Sequence, residues 1–197
     1  MIVNERRKVF RVIDKTMARC LGRVFMLVYR KGVNDAELHS DDEGMLMEHV
    51  EQTADGRKFG YVGDMTGSWV YWRNRLTDIA DERGCYKVIE KYWQSMKSFT
   101  SNYMSVVLMV AQAFYNRGIQ DYLRNPGAEE LTLYNDKPLN WWGKSTNNTI
   151  SPFKIRDYVQ DVCARRMDKI DEGGEDPLKR CHYEIFMQAF SLSIVAK

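Results

Sequence analysis

One run constrains the fold more than any other. From Cys85 to Arg117 the chain continues for 33 residues without a Gly or Pro. Within it Tyr86, Ile89, Trp93, Met96, Tyr103, Val107, Val110 and Phe114 follow each other at steps of three and four, with Thr100 the single polar interruption. A second row, Cys85, Tyr92, Phe99, Val106 and Ala113, lies beside the first. Side chains at these steps share one face of an α-helix. The run therefore predicts a long central helix over about 85–123, the spine of an all-α bundle of five or six helices.

The two halves of the spine differ. Between Tyr86 and Lys97 the far face carries Lys87, Glu90, Lys91, Gln94 and Lys97, which predicts a solvated side. From Tyr103 to Tyr115 there is no charge, and Leu108, Met109 and Ala111 occupy the remaining faces. A helix that is apolar all round is buried all round. The 19-residue uncharged window from Ser98 to Asn116 is still too polar for a membrane span, since it holds Ser98, Thr100, Ser101, Asn102, Ser105, Gln112 and Asn116. A straight helix of this length would measure about 58 Å, against a diameter of about 42 Å for a compact domain of this size. Either the spine kinks near Thr100–Asn102, or the molecule is elongated and covers its flanks by associating.

Elsewhere helices alternate with turn signals. Asn4 to Lys31 reads as a first helix, with Phe10, Ile13, Met17, Cys20, Val24 and Leu27 inward and Gly32 as its stop. A second, Asn34 to Gln52, opens with Asn34 and has Glu37 three residues later, the capping-box spacing. A glycine-rich stretch, 56–67, reads as a loop or short hairpin, and Ser68 to Glu82 as a third helix. Asn125-Pro126-Gly127 stops the spine. Residues 130–142 suggest a minor β-hairpin or irregular insert. Ser151-Pro152 and Asp176-Pro177 are cap-then-proline helix starts, and Gly173-Gly174 lies between them as a stop. With no internal repeat, the whole of 1–197 reads as a single helical domain.

Composition excludes several classes. An apolar content of 44% and a charged content of 28% argue against a disordered chain. Arg6, Arg7 and Lys8 precede a helix-patterned segment and not a short apolar block, so no signal peptide is expected. The four cysteines, Cys20, Cys85, Cys163 and Cys181, are widely spaced, which suggests reduced, buried thiols in a cytoplasmic protein.

No pattern points to chemistry. Gly143-Lys144-Ser145-Thr146 matches the tail of a phosphate-binding loop, but Pro138 stands where the earlier glycine belongs. His39, Asp41, Asp42, Glu43, Glu48, His49 and Glu51 lack the spacing of a calcium loop or a di-iron bundle and read as a solvated acidic face. Cys181 and His182 are adjacent, so on a helix they point about 100° apart and form no dyad alone. The expectation is therefore a chain with no cofactor, no metal and no enzymatic site.

Charge is the strongest functional signal. Residues 1–32 hold nine basic and two acidic side chains, a balance of +7, while residues 33–56 hold eight acidic and no basic ones. Arg7, Arg11, Lys15, Arg19 and Arg23 recur every four residues and predict a basic ridge on one helix stripe. Trp141 and Trp142 form an aromatic loop suited to anchoring a partner or covering the core. These features favour a non-enzymatic assembly or adaptor protein, self-associating or docking on a larger multi-subunit complex such as a particle. The alternatives are a nucleic-acid-binding regulator that uses the ridge, and an enzyme with an unrecognised site.

Overall fold

A computed structural model describes residues 2–54, 62, 74, 90–91, 100–124 and 152–197. These contain six helices: α1 (Ile2–Val12), α2 (Lys15–Leu38), α3 (Glu43–Thr53), α4 (Thr100–Arg124), α5 (Pro152–Gly173) and α6 (Pro177–Ile194). Among the described residues there is no strand, and the architecture is the expected all-α bundle with α4 at its centre. The expected insert at 130–142, the helix at Ser68–Glu82 and the loop at 143–146 fall outside the described residues. So does most of the spine before Thr100, including the approach to the expected kink.

The first predicted helix is two helices. Asp14 interrupts it and caps α2, accepting from Met17 N at 2.8 Å. An aspartate at this position satisfies an orphan N–H of the first turn. The apolar spacing runs on through Asp14, so periodicity alone does not reveal the break. Ile13 N still donates to Val9 O at 2.8 Å, and Ser193 Oγ donates to Ile13 O at 2.6 Å. The corner is thereby tied to α6.

Gly32 does not end a helix. It lies buried inside α2, which continues through Asn34 and Glu37 to Leu38. The next helix starts at Glu43, with Asp42 as its cap accepting from Met45 N at 3.0 Å. The capping-box spacing at Asn34 is therefore not used. The reason is tertiary: a Cβ on Gly32 would lie 2.1 Å from the backbone oxygen of Tyr115, and one on Gly118 would lie 2.1 Å from that of Tyr29. The two glycines let α2 and α4 approach backbone to backbone.

Most of the enclosed half of the spine is as expected, although Ser105 is exposed and Met104 and Ala113 are half-buried. From Val106 to Gln112 every residue of α4 is buried. Phe25 of α2 stacks on Phe114 of α4 at 5.2 Å and meets Phe190 of α6 at 6.0 Å. Phe114 in turn takes the edge of Tyr158 of α5 at 4.7 Å. A chain of rings thus joins four helices at the core, and each full burial contributes about 1.5–3 kcal/mol before ordering costs.

α5 and α6 begin, and α5 ends, where the turn signals lie. Asp176 caps α6 and accepts from Leu178 N at 2.9 Å, with Pro177 in the first turn. Gly174 follows α5 with φ +64 and nothing within 4 Å of a Cβ built there, so its backbone conformation alone selects glycine. Among the described residues no helix is long and apolar enough to cross a membrane.

Candidate functional site

The basic ridge is divided by the corner at Asp14. Arg7 and Arg11 belong to α1, and Lys15, Arg19 and Arg23 to α2. Arg7, Arg11, Lys15 and Arg23 are exposed. Among the described residues, no ion pair engages Arg7, Arg11 or Lys15. Arg19 differs: it is half-buried, and its Nη2 donates to the Ala196 carbonyl at 3.1 Å, fastening the C-terminal end of the chain to α2. The predicted five-cation stripe is thus four exposed cations in two groups, with the fifth used internally. Trp141 and Trp142 lie outside the described residues.

The acidic segment sits at the other end of α2. Lys15 and Glu37 are about 33 Å apart along the axis at about 1.5 Å per residue. Glu37, Asp41, Asp42, Glu43, Glu48 and Glu51 are all exposed. Asp35 is drawn inward: it pairs with Lys31 at 3.1 Å and accepts from Tyr115 Oη at 2.6 Å. A helix carries partial positive charge at its N-terminus and negative at its C-terminus, so acids favour the start and bases the end. α2 has no acid in its first turn and no base in its last. Apart from the Asp14 cap, the side-chain charges within its end turns thus run against the helix dipole.

Behind the acidic end lies a buried polar seam between α3 and α4. Gln112 Nε2 approaches His49 Nε2 at 3.3 Å and donates to Asn116 Oδ1 at 3.0 Å. Asn116 Nδ2 donates to Thr53 Oγ1 at 2.9 Å, and Thr53 Oγ1 donates to the His49 carbonyl at 2.7 Å. For the Gln112 amide to donate, His49 Nε2 must accept, which assigns the ring proton to Nδ1. Burial pushes the His49 imidazole down to about 4, a nearby Asp35 charge opposing this only partly. A neutral ring is what the seam requires.

A second buried group joins α2 to the end of α4. Tyr29 Oη donates to Asp121, which also accepts from Arg117 Nε at 2.8 Å. Asp121 is 1% exposed. Burial, reinforced by the Asp121 charge, raises the Tyr29 phenol well above its ordinary range, so it stays a donor. Neither seam holds a nucleophile beside a base. Burial pushes the Cys163 thiol up to about 12, which keeps it protonated and inert.

Sequence reasoning passed over these partners. Gln112 and Asn116 counted only as residues too polar for a membrane. The available signal was their position: polar amides on a helix otherwise apolar all round must find buried partners. Among the described residues no group of three or more His, Cys, Asp or Glu side chains is gathered as a metal ion would require. No family model, curated protein or solved structure matches this chain.

Proposed function

We propose that this chain is a non-enzymatic helical assembly protein that joins end to end, the basic N-terminal end of α2 against the acidic end of a second copy. The reading rests on one observation: Lys15 and Glu37, at the two ends of α2, stand about 33 Å apart. At physiological salt the Debye length is about 8 Å, so across that distance the two ends of α2 are screened from each other. Both ends are exposed, and Lys15 and Glu37 oppose the dipole of α2, so its local stability does not account for these two. Contact between unlike ends is head-to-tail. Such contacts continue into rings or filaments and do not stop at a symmetric pair. Docking on a larger complex through either end uses the same surfaces.

Paired charge reversal tests this. Arg7, Arg11 and Lys15 changed to Glu should give a monomer, as should exposed Glu37, Asp41 and Glu51 changed to Lys, a set that leaves the Asp42 cap in place. Mixing the two variants should restore association, now in alternation, because each reversed end again meets an opposite charge. If both variants associate like the parent chain, the reading fails.

A second reading follows from the same exposed cations. Arg7, Arg11 and Lys15, without acid partners among the described residues, suit phosphates of a nucleic acid. Binding of DNA or RNA would weaken steeply with salt and vanish in the Arg7, Arg11, Lys15 variant. Arg19 should be left intact in such a variant, because it holds the C-terminal end.

A further inference from the structure

The assembly reading leaves one feature unused, a cleft between α4 and α5. Its volume is about 230 Å³. Its apolar side is formed by Met109 of α4 with Val162 and the ring of Tyr158 of α5. Its polar side carries Asn116 and Gln120 together with four cations, Arg117 from α4 and Arg165, Arg166 and Lys169 from α5. Asp161 is the one carboxylate among the described residues that line it. Asp161 meets Arg165 at 3.2 Å with both side chains 62% exposed, a pairing weak enough for a ligand to displace.

Arg166 gives the cleft its specific signal. It is only 6% exposed, and its Nε is buried without a hydrogen-bond partner. Its Nη2 lies 3.6 Å from Glu175, beyond hydrogen-bond length. Buried guanidinium N–H groups are nearly always satisfied, so an orphan one on a side chain that lines a cleft marks a missing acceptor. A guanidinium fork matches the oxygens of a carboxylate or phosphate. Asp121 already holds Arg117, so three cations, Arg165, Arg166 and Lys169, stand against the one lining carboxylate, an excess that favours a double negative charge over a single one. The apolar side favours an ester over the bare ion.

We infer that this cleft binds a small phosphate monoester, its dianionic head held by Arg165, Arg166 and Lys169 and its organic body against Met109, Val162 and Tyr158. The site is independent of the charged ends of α2, so its failure would leave end-to-end assembly untouched.

Calorimetry on the full chain with three probes tests it. Phenyl phosphate carries both charge and body, benzoate keeps the body with a single charge, and inorganic phosphate has no body. Phenyl phosphate should bind with a Kd at or below about 1 mM, and the other two should bind at least about tenfold more weakly. Arg165→Glu and Lys169→Glu each alter an exposed side chain. Each should weaken phenyl phosphate at least about tenfold while melting like the parent. Arg166 is a poorer target because it also packs on the Tyr183 ring at 5.9 Å. Absence of saturable phenyl phosphate binding would overturn the inference, as would unchanged binding in both variants. Benzoate binding as tightly would overturn the dianion, and inorganic phosphate doing so would overturn the ester.

Discussion

Gly32 and Gly118 face each other's helices so closely that neither position has room for a Cβ. The nearest backbone oxygens, of Tyr115 and Tyr29, would each lie 2.1 Å from one. The obstruction is backbone on both sides, so no side chain can swing away. Gly32→Ala and Gly118→Ala should each force α2 and α4 apart and destabilise by about 3 kcal/mol or more. Gly44, whose nearest neighbour would be an Asp42 side-chain oxygen at 3.7 Å, is the control and should tolerate alanine. Urea unfolding of the three variants checks this, and equal stability for all three would refute the close crossing.

Asp121 is the second structural dependence. It receives the Tyr29 hydroxyl and the Arg117 guanidinium while almost fully buried. Asp121→Asn keeps the shape but removes the counter-charge, and breaking such a pair costs about 3–5 kcal/mol. Tyr29→Phe removes one hydrogen bond and should cost about 1–3 kcal/mol, since it leaves an acceptor short. Denaturant melts should rank the two in that order.

Acid should weaken the fold through His49. Its folded-state value, about 4, lies below the ordinary imidazole value of 6.5. Between those limits the unfolded chain binds more protons than the folded one, so stability rises with pH across that window. The contribution is fully present above about pH 6.5 and is lost as pH falls toward about 4. The slope from this residue is at most about 1.4 kcal/mol per pH unit. Protonation also forbids His49 Nε2 from accepting the Gln112 amide, so the α3–α4 seam should loosen first. His182, lowered by burial against the charges of Glu5 and Asp176, acts in the same direction. His49→Gln should flatten the profile, as read by urea melts across the same pH range.

What the sequence made legible follows from which forces are local. The burial of Val106–Gln112 was readable because no face of that stretch could tolerate water. The starts of α5 and α6, and the end of α5, were readable because Pro152, Gly174, Asp176 and Pro177 act on their own backbone. Gly32 was misread as a stop because its role depends on Tyr115, far away in the chain. Asp14 was overlooked because the apolar repeat continues past it, although its capping chemistry was available to a closer reading. Exposure of Arg7, Arg11, Lys15 and Arg23 followed from the pattern. The inward role of Arg19 did not, since its acceptor is a backbone carbonyl 177 positions away. The seams at His49–Gln112 and Tyr29–Asp121 are likewise long-range pairings that periodicity cannot specify.

End-to-end association is most directly tested by sedimentation equilibrium of the unmodified chain over a range of concentrations. The runs should be made at about 0.1 M and about 1 M salt, where the Debye length falls from about 10 Å to about 3 Å. At the lower salt the average mass should climb with concentration past that of two chains, and at the higher salt it should return to that of one. A single-chain mass at every concentration in low salt, or a fixed oligomer that persists in high salt, would contradict assembly through the opposed charges of α2.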